Sequence, residues 1–256
     1  MGAVLDSMPG MVLAAAMTIT FFGGVVKGMV GFALPLIMIS GLSAILPPEI
    51  ALAALLLPAA LTNMWQAFRQ GLAAAALSLR WHWPFIGVGL AVMAAASQVV
   101  LAVPQWAFFA IIGAPVVAYS ALQLAGVSIR VPARRRGLAT VLFGGLAGVL
   151  GGFAAAFGPP TVAYLISRGT EKSEQVRVQG LMYFLGNVLL FGAHLQSGVL
   201  NGDTIPLSAL MLLPAGLGMW LGFRLQDRLN TVQFLRATLV VLLLAGLNLV
   251  RRAVLV

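Results

Sequence analysis

The chain has 256 residues, of which 61% are hydrophobic and 8% are charged, and its mean hydropathy is +1.03. Soluble domains carry about 25% charged residues, so this composition excludes a soluble globular protein and indicates a membrane protein. The net charge of +9 would suggest nucleic-acid binding in a soluble protein, but here the basic residues lie mostly in short loops between apolar runs, where they set orientation in a bilayer. The chain has no cysteine, which excludes disulfides and thiolate metal sites.

Ten apolar segments follow one another along the chain, and each is long enough to form a helix. We therefore predict an all-α polytopic membrane protein with about 8–10 membrane segments. The segment at 159–168 would extend for about 15 Å, which is half of a bilayer. The segments lie near residues 10–30, 32–46, 49–68, 83–103, 105–125, 138–153, 159–168, 175–197, 205–225 and 232–250.

The first and the sixth segments carry the same pattern of Gly and Pro residues. In each copy two Gly residues lie seven positions apart, a Pro follows, and an Asn comes 28 residues after that Pro; the second copy has three extra residues before its Pro. Such duplicated breaks in two hydrophobic halves indicate a transport site. We predict two related transmembrane halves, 1–126 and 138–256, joined by a basic cytoplasmic linker at 127–137. The repeated residues are Gly24, Gly31, Pro35 and Asn63, and then Gly145, Gly152, Pro159 and Asn187.

The distribution of positive charge favours one of two topologies. If each Gly/Pro block is a re-entrant hairpin and the N-terminus is outside, eleven Lys and Arg residues lie in inside loops and two lie outside. If each block is a single spanning helix, the inside loops hold eight and the outside loops five. The hairpin arrangement follows the positive-inside tendency better, and it makes the two halves inverted, as in many secondary transporters. The single-span alternative stays open because segment 10–30 is long enough to span alone. The eleven inside residues are Arg69, Arg80, Arg130, Arg134, Arg135, Arg136, Arg168, Lys172, Arg177, Arg224 and Arg228.

The two Gly/Pro blocks are the candidate substrate site. Pro is favoured at the first turn of a helix, so Pro35 and Pro159 with Pro160 can begin the second arm of each hairpin. The free N–H groups and the dipole of such a helix start attract anions. We expect both hairpin tips to form one central pocket; the alternative is that Gly and Pro serve only helix packing and kinks. The expected substrate-binding residues are Lys27, Gly31, Pro35, Asn63, Gln66, Gly152, Pro159, Pro160, Thr161, Gln179, Tyr183 and Asn187.

Lys27 lies inside the first Gly block, in the middle of an apolar segment. A Lys within the membrane is costly and indicates a functional site. All six acidic residues of the chain lie in or beside loops, so an anionic substrate can supply the countercharge. The lack of buried carboxylates also argues against a carrier of metal cations. The alternative is that Lys27 snorkels to an interface or a water-filled cavity.

Other polar residues of the apolar segments have two interpretations each. Asn63 and Asn187 either bind a polar substrate or pin a hairpin tip, or they join helices to one another. Gln179, Tyr183 and Asn187 recur every four residues and therefore share one helix face. His194 titrates near neutral pH, so it is a candidate for proton coupling, with a hydrogen-bonded interfacial His as the alternative.

In these residues the chain resembles the sulfite exporter TauE/SafE family of anion permeases. The resemblance rests on the block from Gly23 to Phe32 with its following Pro, on the run from Gly144 to Phe153 that ends in Gly158-Pro159-Pro160, and on the Gly residues from 216 to 222. It covers essentially the whole chain. It implies an integral membrane transporter, built from two related halves, for sulfite, sulfonates or small organic acids. Lys27 departs from the Gly or Ala expected at its position, which leaves open a substrate other than sulfite.

Together these observations predict a multi-pass secondary transporter of the bacterial inner membrane that works by alternating access. We expect no enzymatic activity, cofactor, metal or nucleic-acid partner; a homodimer stays open. An inside-negative potential favours anion export by about 2.3 kcal/mol per charge per 100 mV, so uptake would need a coupling ion, a proton or sodium. One alternative is an anion channel, which needs a continuous polar lining. The other is an intramembrane enzyme, which needs a nucleophile–base pair or a metal set.

Overall fold

The computed structural model describes residues 3–99, 105–127, 131–154, 157–196 and 201–255. These residues form eleven α-helices and a 3₁₀ turn at Ala133–Arg135, and they contain no strand, so the predicted all-α fold is confirmed. The helices are α1 (Ala3–Asp6), α2 (Gly10–Val30), α3 (Leu34–Leu42), α4 (Pro48–Phe68), α5 (Leu72–Val99), α6 (Gln105–Leu124), α7 (Arg136–Ala154), α8 (Gly158–Ser167), α9 (Lys172–Gln196), α10 (Ile205–Arg228) and α11 (Thr231–Leu255).

The helices fall into long and short classes. Among the described residues α2, α4, α10 and α11 are long and apolar enough to cross a membrane by length and composition. By contrast, α3 has nine residues and α8 has ten, so each extends for about 15 Å, half of a bilayer. The short segment predicted at 159–168 is α8. Each short helix directly follows one of the two Gly/Pro blocks.

The outward surface of the helices is apolar. Leu138 and Val141 on α7 are 59% and 56% exposed, and similar Leu and Val side chains protrude from α10 and α11. Three Trp side chains, those of Trp81 and Trp83 on α5 and of Trp106 in the first turn of α6, are also largely exposed. An apolar surface of this extent suits lipid, and Trp is enriched where lipid meets water.

The start of α5 differs from its prediction. We expected an apolar segment at 83–103 after a polar loop that ended at His82, but α5 begins at Leu72. Four consecutive Ala residues at 73–76 explain the difference, because Ala has the highest helix propensity. Arg80 and His82 therefore lie on a helix. The predicted end of this segment lies outside the described residues.

Glycines bring α2 and α10 into close contact. A β-carbon on Gly24 would lie 2.5 Å from the carbonyl oxygen of Ala215, and one on Gly28 would lie 2.3 Å from that of Met219. No side chain fits into such gaps, so the small residues allow the two backbones to touch. Since the contacts advance along both helices together, α2 and α10 are parallel.

The helices α5 and α7 pack in the same way. A β-carbon on Gly148 would lie 2.4 Å from the carbonyl oxygen of Gly89, and Gly144 also faces α5. Gly145 has no such contact, because a β-carbon added there would meet nothing within 4 Å in the described structure. The sequence spacing pairs Gly24 with Gly145, whereas the packing pairs it with Gly144, so the register predicted from the sequence is one residue too late.

The helix α4 lies at the centre, between α9 and α10. Midway along α4, the N–H of Leu57 donates to the hydroxyl of Ser208, near the start of α10, at 3.2 Å. Just beyond the end of α4, Arg69 contacts Asp227 on the last turn of α10 at 2.5 Å. The helices α4 and α10 are therefore parallel to each other.

The helix α9 runs antiparallel to α4. Gly180 of α9 packs against the backbone of Ala67. Arg177, three residues before Gly180, donates a hydrogen bond to the side chain of Gln70, which is three residues after Ala67. The helix α9 also packs against α5, and α6 packs against α11. The described long helices thus form one interlocked bundle in which elements of 1–126 alternate with elements of 138–256.

We expect Gly28→Ala to lower the melting temperature of the purified protein by about 2–10 °C, because overpacking a tight contact costs roughly 1–3 kcal/mol. The added methyl group would press on the Met219 carbonyl of α10. Gly145→Ala is the matched control, since it makes the same chemical change on a helix where space is free. Melting in detergent, followed by tryptophan fluorescence, measures both variants. Equal melting temperatures would contradict the glycine contact.

Candidate functional site

The helices α2 and α3 form a hairpin. Gly23 on α2 lies against Ile37, and Gly41, later on α3, lies against Ile19, earlier on α2. This reversed order shows that α3 runs back along α2. The first Gly/Pro block therefore contains a sharp turn, and the cavity described below lies beside that turn.

The turn of this hairpin has a special backbone. Gly31 ends α2 with a φ of 92°, and its N–H donates to the carbonyl of Lys27 at 2.7 Å. Ala33 has a φ of 81°, and every other described non-glycine residue has a negative φ. A left-handed conformation costs a residue with a β-carbon about 1–2 kcal/mol. Surrounding contacts must therefore hold the turn in place.

The second tip lies against the first. The helix α8 begins at Gly158, and a β-carbon on Gly158 would lie 3.1 Å from the ring of Phe32 in the first tip. The ring of Phe157 stacks on that of Tyr183, with 5.5 Å between the centroids. The two Gly/Pro blocks, about 120 residues apart in sequence, thus lie close together in the bundle.

A cavity opens beside the two tips, and together with the solvent space at its mouth it measures about 820 Å³. It receives side chains from both halves of the chain. Half of the residues that the sequence predicted to bind substrate line it, and these are Lys27, Pro35, Asn63, Pro159, Tyr183 and Asn187.

Most of the cavity wall is apolar. One side is formed by residues of α3 and of the N-terminal two thirds of α4, and the side chains that line the cavity there offer neither hydrogen-bond donors nor charges. Lys27, two Asn amides and one phenol are the polar groups that the described part of the wall provides. The cavity is therefore apolar with one polar region. The apolar residues of that side are Leu36, Leu52, Leu55, Leu56, Ala59 and Ala60.

Lys27 provides the positive charge of the cavity. The residue is 1% exposed, so it does not snorkel to an interface. Its Nζ donates to Thr62 Oγ1 at 3.0 Å and to Asn63 Oδ1. Because an ammonium group has three donors, one remains free for a ligand. Thr62 was not predicted from the sequence, where its place beside Asn63 is its only signal.

The Asn63 amide has a defined orientation. Lys27 can only donate, so Asn63 presents its oxygen to Lys27 and keeps its NH₂ group for other partners. Thr62 accepts from Lys27 and donates its own proton to the carbonyl of Pro58, at 2.5 Å. A chain of neutral groups thus holds the amine in place.

The helix starts offer fewer donors than the sequence predicted. Pro35 removes an N–H from the first turn of α3, and Pro159 and Pro160 remove two from that of α8. The N–H of Thr161 donates to the Phe157 carbonyl at 3.3 Å, so Gly158 holds the free N–H on α8. Lys27 and the amides, more than the helix starts, supply the donors of the cavity.

Gln66 lies behind the first tip and not in the cavity wall. Its Nε2 donates to the Gly31 carbonyl at 2.9 Å and to the Val176 carbonyl of α9 at 2.8 Å. Gln66 thereby ties the turn between α2 and α3 to a helix of the other half. Its contacts are those of a residue that holds the tip.

The other predicted residues also lie outside the described wall. Gln179 packs against Gly31, and its two amide atoms have no hydrogen-bond partner in the described part of the structure. The hydroxyl of Thr161 donates within α8, to Phe157 at 2.7 Å. Gly152 and Pro160 do not line the cavity either. His194 belongs to α9, and its side chain lies outside the described residues.

Polar contacts join the two halves at one end of the bundle. Arg69 contacts Asp227 at 2.5 Å, and Arg177 donates to Ser78 at 2.7 Å. From the sequence, these Arg residues were predicted only as topology determinants. Their partners are far away in the sequence, so no local pattern indicates the pairs.

The same end has a third link, between His82 and Glu174 at 3.3 Å. It joins α5 to the first turn of α9. At the opposite end, near the starts of α2, α4 and α10, the described contacts are mainly a cluster of apolar side chains. The cavity lies between these two ends.

Comparison with known proteins gives one match. The family model described as "Sulfite exporter TauE/SafE" matches residues 16–249 of the chain. This range contains both tips, every described residue of the cavity wall and most of each long helix. No curated protein and no solved structure matches the chain.

We expect Gln66→Met to destabilise the protein and Gln179→Met to leave its stability unchanged or improve it. The first change takes a donor away from two buried carbonyls, of which that of Gly31 lies outside a helix and that of Val176 lies inside α9, at a cost of about 1–3 kcal/mol. The second removes an amide that has no partner in the described structure. Both variants replace a fully buried Gln by the same unbranched side chain. Thermal melts in detergent compare them, and a larger loss for Gln179→Met would contradict the assignment.

Proposed function

The chain belongs to the sulfite exporter TauE/SafE family, whose members are membrane transporters, and from this premise we propose that it carries a small organic or sulfur-containing anion by alternating access around the cavity at the two tips. The family membership confirms the predicted membrane transporter and excludes the predicted alternative of an enzyme. The substrate, the mechanism and the roles of single residues are the subject of the proposal.

Lys27 is the observation that carries the proposal. A cation with 1% exposure lies in a cavity whose described wall has no carboxylate. Burying an unpaired charge is costly, and an anion in the cavity removes that cost by pairing with it. The NH₂ groups of Asn63 and Asn187 suit the remaining oxygens of a sulfonate or a carboxylate.

The apolar wall favours an anion with a hydrocarbon part over a bare inorganic one. The Leu and Ala side chains of α4 would face whatever extends from the charged group. Burial of each CH₂ group contributes about 0.8 kcal/mol. Sulfite would leave this wall unused, so we propose an alkyl sulfonate or a small organic acid as the preferred substrate.

The helix pairing supports an inverted relation between the halves. We count the helices of one half from α2 and those of the other from α7. In both of the pairs α2–α10 and α5–α7, the first helix of one half is then in parallel contact with the fourth helix of the other. An operation that superposes each half on the other converts the pair α2–α10 into the pair α7–α5. The same operation exchanges α4 with α9, and these two helices are antiparallel. A twofold axis that relates antiparallel helices lies perpendicular to them, in the membrane plane.

The end that carries Arg69–Asp227, Arg177–Ser78 and His82–Glu174 is proposed as the closed gate of this conformation. Each of these links joins one half to the other. Alternating access needs contacts that close one side and break when the other side closes. Since the inside loops of the hairpin topology include Arg69 and Arg177, the closed side would be the cytoplasmic one.

An anion channel is the second candidate, but the site favours it less. A channel needs polar or charged groups along its whole length. The described polar groups of the cavity are concentrated beside the two tips, and the wall formed by α3 and the N-terminal part of α4 is apolar. Counterflow of labelled substrate in liposomes separates the two candidates, because a carrier shows it and a channel does not.

The remaining features of the proposal concern the setting of the transporter. We place it in the bacterial inner membrane as a multi-pass protein, with a proton or sodium as the coupling ion for uptake. A homodimer is compatible with the exposed apolar faces, which fit either lipid or a second copy.

We expect Lys27→Met to weaken anion binding by at least tenfold while the variant still folds, because methionine fills the same space without the charge. A thermal-shift screen with sulfite, ethanesulfonate, butanesulfonate and acetate measures binding. Arg251→Met is the control, since Arg251 is exposed and belongs to α11, from which no described residue lines the cavity. Unchanged stabilisation of Lys27→Met by the anions would contradict the role of Lys27.

The Cys-free chain also allows a test of the topology. In the inverted arrangement, Glu171→Cys at the start of α9 reacts only with reagents that reach the cytoplasm, and Gly202→Cys before α10 reacts from outside. Both positions are exposed. The single-span alternative predicts the reverse for both positions. Impermeant maleimide on whole cells, with and without permeabilisation, decides between them.

A further inference from the structure

The amine of Lys27 has only neutral partners in the described structure. It donates to the hydroxyl of Thr62 at 3.0 Å and to the amide oxygen of Asn63. From α9, the cavity receives one titratable side chain, the phenol of Tyr183. Its hydroxyl lies close to that of Thr161 without a well-formed hydrogen bond.

The charged groups on the helices around Lys27 lie elsewhere. The helix α3 carries none, α4 carries Glu49 on its exposed first turn, and α10 carries its charges on its last turns. None of the described ones forms an ion pair with Lys27. The charged residues of the helices packed against α2 are Glu49, Arg224, Asp227, Arg228, Arg236, Arg251 and Arg252.

In this environment, the stability of the charged form of Lys27 depends on whether an anion is bound. A buried ammonium group with neutral partners loses much of its hydration and gains no countercharge. A bound anion supplies that countercharge at close range, and ion pairing is strong where water is scarce. The charged form of Lys27 is therefore favoured far more when the anion is present than when the site is empty.

We infer that Lys27 takes up a proton when the transported anion binds, so that anion and proton cross the membrane as a pair. The inference rests on the proposed anion-transport function and specifies its coupling ion and the residue that holds it. It assigns proton coupling to Lys27, a residue of the cavity wall, in place of His194.

The step is a protonation and its reversal. A proton from the solution on the open side joins the lone pair of the neutral amine nitrogen, and the ammonium group pairs with the anion. On the other side the anion leaves, the amine releases the proton, and the neutral carrier returns. A monovalent anion thus crosses with no net charge, so an inside-negative potential does not oppose its uptake.

Linkage makes the inference measurable. If binding of the anion adds a proton, the proton count in the bound state exceeds that in the empty state, and affinity falls as pH rises. The dissociation constant then increases by up to tenfold per pH unit wherever the empty amine is neutral. A carrier whose Lys27 stays charged in both states shows no such dependence.

The experiment is isothermal titration of the purified full-length protein in detergent with ethanesulfonate. This anion stays ionised across the pH range of the experiment, so any proton that is taken up binds to the protein. Titrations at one pH in two buffers with different ionisation enthalpies give the number of protons per anion. We expect uptake of up to one proton per anion, with the number of protons rising as the pH of the titration is raised.

Two variants identify the group. Lys27→Arg keeps a positive charge that is never lost, so it should bind ethanesulfonate without proton uptake and with a pH-independent affinity. Tyr183→Phe removes the other titratable group of the described cavity wall; whatever it does to the affinity, the number of protons taken up per bound anion should stay that of the wild type. Uptake that persists in Lys27→Arg, or disappears in Tyr183→Phe, would overturn the assignment to Lys27.

The titration of the wild-type protein tests whether anion binding is accompanied by proton uptake, even if a variant fails to fold. Binding of ethanesulfonate without proton uptake overturns this inference and leaves the proposed anion transporter intact. A wild-type protein that binds neither ethanesulfonate nor any anion of the thermal-shift screen contradicts the proposed function itself, and the inference with it.

Discussion

The rest of the site depends on one feature, which is that the positively charged side chain of Lys27 is buried without a carboxylate partner in the described structure. Lys27 lies in the last turn of α2, where the helix dipole favours a cation by about 0.3–1 kcal/mol. Thr62 and Asn63 add two neutral acceptors. These contributions are small beside the cost of a buried unpaired charge, which is several kcal/mol. The shortfall leaves an electrostatic demand for an anion, and the shape of the cavity meets that demand.

Such a site needs a backbone that is broken yet rigid. The turn at Gly31 and Ala33 exposes the cavity between α2 and α3, but a left-handed Ala is unfavourable by itself. Gln66 restrains the turn from behind, and the glycine contact between α2 and α10 fixes the helix that leads into it. The glycine contact leaves no room for even a methyl group, so it holds α2 rigidly although the turn at its end is irregular.

The sequence predicted the features that depend on local chemistry. Gly and Pro mark helix breaks wherever they occur, and Lys27 is costly in any apolar helix, so the tips and the cation of the cavity were found. The beginning of α5 was missed because Arg80 and His82 hid the helix propensity of the Ala run before them. The link from Gln66 to Val176 joins residues 110 positions apart, and no periodicity indicates such a contact. The role of a repeated glycine depends on its neighbour in space, which is why Gly145 was paired wrongly.

The two halves supply one scaffold and different chemistry. By the packing register that matches Gly28 with Gly148, the counterpart of Lys27 is Ala147, which is fully buried. By the spacing that matches Asn63 with Asn187, the counterpart of Tyr183 is Ala59. A second lysine at 147 would place two like charges in the same bundle, and their repulsion would add to the cost of burial. In the proposed relation of the halves, the two tips therefore share the breaks and the amides, while the single charge fits the proposed binding of one anion.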